Sequence, residues 1–168
     1  TGTGSSDIVT GVSGVGIYAE NSTLNLNTDY GIETKDGGVG IFSSGTTIST
    51  INPLGTTLEY KYSGSSSGTG IGIVYSGSGV TNNTHVKLLN NTATTGGIIG
   101  IYTNGGGLFT NNGKITGNSS ALEFGIVSDN GTNVTNNANI ILSDATSISD
   151  ANVGIYSKVS NTTENNGN

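Results

Sequence analysis

Cysteine, methionine, tryptophan and arginine are absent from this 168-residue chain, and histidine and proline occur once each. Without cysteine there is no disulfide framework and no thiolate metal site. Charge is scarce as well. Charged residues make up 10% of the chain, its five lysines are Lys35, Lys61, Lys87, Lys114 and Lys158, and the net charge is −6. A nucleic-acid partner needs a basic footprint, and so does an anionic membrane surface; neither is expected here. No apolar run approaches the ~20 residues of a membrane-spanning helix, and no signal peptide is visible. The chain does not begin with methionine, so it is expected to be a segment of a longer array.

What is present is glycine, 29 residues of it, together with abundant serine, threonine and asparagine. Polar chains of this kind are often disordered, but disorder usually goes with high net charge and abundant Pro, Glu and Lys. Here Ile, Val and Leu return at short intervals, which predicts ordered structure.

The first of those returns is GVGIYA at 14–19, which fits the dinucleotide fingerprint G-x-G-x-x-G/A. That reading requires a preceding strand and a following helix, and AENSTLNLNTD at 19–29 is turn-and-strand chemistry. The string also has sisters: GVGIFS, GIGIVYS, IIGIYT, EFGIVS and NVGIYS. The glycine before the isoleucine falls at Gly16, Gly40, Gly72, Gly100, Gly125 and Gly154, at intervals of 24, 32, 28, 25 and 29. A weaker copy, DYGIET, lies out of phase at 29–34. A second string follows three of the anchors: VTNNTHV at 80–86, FTNNGKI at 109–115 and VTNNANI at 134–140. Self-similarity at 20–50 residues marks a solenoid or a related array, so no cofactor is expected.

The anchors are short, β-branched and bounded by Gly, Asn and Ser, which predicts strands; no segment carries a capped 3.6-residue period. Strict alternation within an anchor turns Val15, Ile17 and Ala19 inward and Gly16 and Tyr18 outward. The same rule turns Val39, Ile99, Phe124 and Val153 inward. An extra residue leaves the register at Ile71–Tyr75 open and suggests a bulge there. The expected fold is all-β, a right-handed parallel β-helix (β-solenoid) in which residues 1–168 form about 5–6 coils of 24–32 residues. Ile17, Ile41, Ile73, Ile101, Ile126 and Ile155 would stack as one internal ladder at the ~4.8 Å inter-strand spacing. The Asn pairs would sit at a corner, where Asn tolerates left-handed backbone and its amide can bond a stacked neighbour.

The repeated VGIYS…(V/I)TNNGxI pattern, from about residue 12 to 166, resembles the passenger region of large Gram-negative autotransporter adhesins, in particular the fusobacterial type. The resemblance implies a non-catalytic, extracellular stalk displayed on the bacterial surface. It implies outer-membrane anchoring through a C-terminal β-barrel beyond these residues, and a host-cell or bacterial receptor, protein or glycan, as partner.

The β-helix also houses polysaccharide-degrading enzymes, which act through carboxylates about 5–9 Å apart. The eleven acidic residues here are scattered, with no D-x-D, and no arginine is present, so catalysis is not expected. A pure spacer or filament-forming repeat without a receptor is the other alternative. His85 has no Cys partner or neighbouring acid in sequence, and DGGVGIF at 36–42 has Ile where a calcium-binding repeat needs Asp; no metal is expected.

Two features are candidate partner-binding sites. Tyr18, Phe42, Val74, Tyr102, Val127 and Tyr156 follow the core isoleucines and would align as an outward stripe, unless a flanking loop covers them; Tyr18, Phe42, Tyr102 and Tyr156 are its candidate binding residues. Residues 52–67, in the longest interval, contain Pro53 and the alternation Glu59, Tyr60, Lys61, Tyr62. As an insertion into a repeat they are expected to protrude as a loop.

Overall fold

Each short β-branched run closes one side of a triangular coil, and coils stack so that every run pairs in parallel with its counterpart one repeat away. The computed structural model describes residues 8–26, 29–50, 56–65, 67–89, 97–117, 122–142, 152–158 and 162–167, with the backbone alone at Ser49 and Thr50. The strands come in successive triplets. The first is β1 (Ile8–Val9), β2 (Val15–Glu20) and β3 (Thr23–Leu26); the second is β4 (Tyr30–Thr34), β5 (Val39–Ser44) and β6 (Thr47–Thr50). Next come β7 (Thr57–Tyr62), β8 (Gly70–Ser76) and β9 (Val80–Asn82), then β10 (His85–Leu88), β11 (Gly97–Thr103) and β12 (Gly107–Asn111). The last two triplets are β13 (Ile115–Gly117), β14 (Leu122–Ser128), β15 (Thr132–Asn136), and β16 (Ile140–Ile141), β17 (Val153–Ser157), β18 (Thr163–Asn165). Three parallel sheets of six strands result. Sheet A stacks β1, β4, β7, β10, β13 and β16; sheet B stacks every anchor strand from β2 to β17; sheet C stacks β3 to β18. This is a parallel β-solenoid, and no helix occurs among the described residues.

The corners explain the uneven repeat length. Between sheets B and C the chain turns through a left-handed residue in coil after coil, with φ of +46° at Asn21, +57° at Gly45, +71° at Gly79, +70° at Gly106 and +73° at Gly131. Gly and Asn are the residues that adopt this conformation at little cost. The connection from sheet A to sheet B varies most, from four residues (35–38) to eleven (142–152), and that from sheet C to sheet A varies from two (83–84) to six (51–56).

Inside, the isoleucine ladder forms in full, Ile17 opposite Ile41, then Ile73, Ile101, Ile126 and Ile155. Sheet A contributes Ile32, Leu58, Tyr60, Val86, Leu88 and Ile115 to the same core, and sheet C contributes Ile48, Val80, Phe109 and Val134. The Asn pairs form two amide columns. Inward, Asn82 Nδ2 donates to Asn111 Oδ1, Asn111 to Asn136 and Asn136 to Asn165, each at 2.7 Å. The second Nδ2 hydrogen bonds a carbonyl two residues on, at Thr84, Gly113 and Ala138. Outward, Asn112 donates to Asn83 at 2.9 Å, Asn137 to Asn112 at 2.9 Å and Asn166 to Asn137 at 3.0 Å. The inner column begins at Asn82 because the coil before it carries Ile48 in the matching place. With no stacked side-chain amide before it, Asn82 Oδ1 accepts from the Tyr75 hydroxyl at 3.1 Å and from the Thr84 backbone N–H at 3.3 Å.

The facing of the anchors differs from strict alternation. Gly16 and Ile17 both turn inward, and Val15 and Tyr18 are both exposed. The same pattern, with the Gly-Ile pair buried, repeats in β5, β11 and β14. Val15, Val39, Ile99, Phe124 and Val153 are therefore outer-face residues, contrary to the alternation. The reason is contact between glycines. A Cβ on Gly16 would lie 2.7 Å from the Gly40 carbonyl oxygen; on Gly40, 2.5 Å from that of Gly72; on Gly72, 2.8 Å from that of Gly100. Gly100 and Gly125 stand the same way against the next coil, at 2.8 and 2.5 Å. No side chain fits there, so the anchor glycines are fixed by close approach and the period of two breaks at each of them. The open register also resolves. Ile73 aligns with Ile41 and Ile101 as in every other coil, and Ile71 stands outside with Val39 and Ile99. The out-of-phase DYGIET is β4, a sheet A strand, so its likeness to the anchors does not carry over to position in the coil.

Candidate functional site

Three outer faces follow from this register, and each has its own chemistry. On sheet A, outward Glu33 and Lys61 stand one coil apart and pair at 2.9 Å, and Glu59 and Lys87 pair at 2.8 Å. On sheet C, Thr23 aligns with Thr47, and Thr81 aligns with Thr110 and Thr135, beside the outer asparagine column. Sheet B is different. The middle of its outer face has two columns, one position before each anchor glycine and one after each anchor isoleucine, flanked by a polar column at Glu20, Ser44 and Ser76. The first contains Val15, Val39, Ile71, Ile99, Phe124 and Val153, and the second Tyr18, Phe42, Val74, Tyr102, Val127 and Tyr156.

All twelve residues are apolar or aromatic, on a face where a solvated sheet would alternate to polar residues. The stripe is knit along the solenoid axis. Tyr18 stacks flat on Phe42 with ring centres 5.4 Å apart, and Phe124 meets Tyr156 edge to face at 6.5 Å. Val74 is buried at the middle, whereas Tyr18 remains 63% exposed, Tyr156 48% and Val15 43%. The rim is polar. Tyr18 Oη donates to Glu20 at 3.3 Å, Tyr102 Oη to Asp129 at 3.4 Å, and Lys158 approaches Asp129 at 3.5 Å. The Glu20 charge raises the pKa of the Tyr18 hydroxyl, and burial followed by Asp129 raises that of Tyr102. An apolar centre with a charged rim is the anatomy of a protein contact surface.

The sequence-derived candidates divide accordingly. Tyr18, Phe42, Tyr102 and Tyr156 lie together on this stripe. Glu59 and Lys61 point outward on sheet A, each held in an ion pair, away from the stripe. Tyr60 and Tyr62 are corrected. Both are fully buried, because β7 is a regular member of sheet A between β4 and β10. Tyr60 Oη shares a 2.6 Å hydrogen bond with Thr34 Oγ1, and burial raises its pKa strongly. Of the protruding loop expected at 52–67, residues 56–62 therefore belong to the stack, while 52–55 and 66 lie outside the described residues. The corner after β7 is tied down: Asp36 accepts hydrogen bonds from the Tyr62 hydroxyl, from Ser65 N at 2.7 Å and from Ser65 Oγ at 3.0 Å. These bonds lower the pKa of Asp36, with Tyr62 the largest cause.

The first outer column went unrecognised in the sequence. Its signal is an aliphatic or aromatic residue immediately before every Gly-Ile pair. His85 opens β10, where its Nδ1 accepts the Lys114 backbone N–H at 2.8 Å. Among the described residues no group of three or more His, Cys, Asp or Glu is placed to hold a metal ion. Ile140, Gly154, Ile155, Thr163 and Asn165, from strands β16, β17 and β18, line a cavity of about 330 Å³. No known family model matches the chain, and no curated protein or solved structure matches it.

Proposed function

We propose that this chain is a non-catalytic segment of a surface-displayed passenger, an extended stalk that presents an adhesive face to host cells or to other bacteria. The observation that carries the reading is the uncharged, partly exposed stripe on sheet B, supported along its whole length by a rigid stack of coils. Aromatic residues on a rigid scaffold bury large area with little rotamer entropy, which suits recognition of another macromolecular surface. A non-catalytic role is supported by the outward carboxylates of sheet A, since Glu33 and Glu59 are each neutralised by a lysine one coil away. Extracellular display and anchoring outside this segment are parts of the same proposal, resting on the repeat style.

Beads coated with the chain test it. Coated beads are expected to attach to epithelial or bacterial cells, and the double variant Tyr18→Ser, Tyr156→Ser is expected to lose most of that attachment at unchanged fold. Attachment indifferent to these changes, or none by the native chain, would favour a spacer. Release of reducing sugar from polysaccharide would favour the enzyme reading instead.

A further inference from the structure

The two columns of the sheet B face are matched in size coil by coil. Where one column has an aromatic residue, the other has a β-branched one, as with Val15 and Tyr18 in the first coil and Phe124 and Val127 in the fifth. The third coil has two β-branched residues, and no coil has two aromatics. We propose that this face is the contact between two copies of the chain, related by a two-fold axis parallel to the solenoid axis.

The geometry of that axis gives the argument. A two-fold along the stack sets each coil against the same coil of the second copy and puts the first column of one opposite the second column of the other. Large then meets small in every coil but the third, where small meets small, and no aromatic opposes an aromatic. A two-fold along the strands would reverse coil order and set Tyr18 against Tyr156 of the second copy, leaving gaps where aliphatic residues of the first column met. Sheets pack face to face about 10 Å apart, and knobs repeating at the strand spacing of ~4.8 Å find the same repeat only in another stacked sheet. Size agrees. Six strands about 4.8 Å apart and some five residues wide offer roughly 500 Å² per copy, about 1,000 Å² for a pair, at the lower limit for a specific interface. Pairing is thus weak for this segment and strengthens with coil number. Pairing uses the same face as the attachment proposed above, so a paired chain has that face covered and attachment draws on the unpaired form; a chain that pairs in solution but attaches to no cell keeps the pairing inference and loses the adhesive one.

Sedimentation equilibrium of the purified chain, from micromolar to millimolar, tests it. The native chain is expected to pass from monomer to dimer within this range. Tyr102→Lys and Ile99→Glu, each on the outer face of β11, are expected to weaken dimerisation at least ~tenfold. Mixing these two variants is expected to restore it, because residue 102 of one copy faces residue 99 of the other. Far-UV circular dichroism checks the fold, and Phe42→Lys with Val39→Glu repeats the experiment two coils away should either variant fail to fold. A native chain that stays monomeric at millimolar concentration overturns the proposal, as do single variants that dimerise normally. Recovery with Val74→Glu in place of Ile99→Glu overturns the parallel arrangement.

Discussion

Asn111 and Asn112 are neighbours in sequence that make the same kind of bond with opposite burial, so they separate the value of an amide ladder from the value of its location. Asn111 is fully buried, donates to Asn136 Oδ1 and to the Gly113 carbonyl, and accepts from Asn82. Asn111→Leu leaves one Asn82 N–H, the Asn136 oxygen, the Gly113 carbonyl and, from a long 3.3 Å bond, the Gly113 N–H without these partners. At ~1–3 kcal/mol for each orphaned buried group, discounted because Asn82 keeps its bond to Thr84, the loss is about 3–6 kcal/mol. Asn112 is exposed, and water replaces its bonds to Asn83 and Asn137; Asn112→Leu costs about 1 kcal/mol or less. For a chain of this size these losses correspond to melting-point drops of roughly 10–20 °C and ~2–4 °C. Thermal unfolding followed by far-UV circular dichroism reads both. Protection of the Gly113 amide, which donates to Asn111 Oδ1 at 3.3 Å, falls only in the first variant. Equal drops for the two substitutions would refute the claim that burial, not hydrogen bonding itself, gives the inner ladder its weight.

Two further outcomes concern packing and charge. Gly72→Ala places a methyl 2.8 Å from the Gly100 carbonyl oxygen and is expected to cost ~1–3 kcal/mol, whereas Gly79→Ala, with open space but φ of +71°, costs about 1 kcal/mol; urea midpoints distinguish them. The lowered pKa of Asp36 means that its carboxylate stabilises the fold above the ordinary value of 3.8 and that this contribution is lost as pH falls through the lower folded value. Asp36→Asn is accordingly expected to be less stable than the native chain at neutral pH and equal to it below that range. A gap that persists in acid would refute the assignment.

Much of this architecture was legible in the residues. The recurring Gly-Ile marks the coil, and the Asn-Asn pairs, each between hydrophobic flanks six residues apart, mark a corner with stacked amides. The facing of the anchors was not legible, because alternation assumes an unbroken period of two and the glycines break it through contacts between coils. Tyr60 and Tyr62 were misplaced for a related reason. The longest interval reads as one insertion, yet a regular strand, β7, stands within it, and the extra length is divided between the segments before and after that strand. The stripe is half legible: the column from Tyr18 to Tyr156, with Val74 and Val127, follows from its place after each core isoleucine, while the column from Val15 to Val153, with Phe124, reads as core under strict alternation. The ion pairs of sheet A join residues 28 apart, a separation that acquires meaning only once the register is known.

The asparagine doublet has one more consequence. In the inner column every amide donates toward the later coil, from Asn82 to Asn111 to Asn136 to Asn165. In the outer column every amide donates toward the earlier one, from Asn166 to Asn137 to Asn112 to Asn83. The two rows of side-chain dipoles lie side by side and point in opposite directions. An α-helix accumulates partial charge at its ends because its dipoles all align. Here the columns cancel, and coils can be added without the doublets building up a potential at either end.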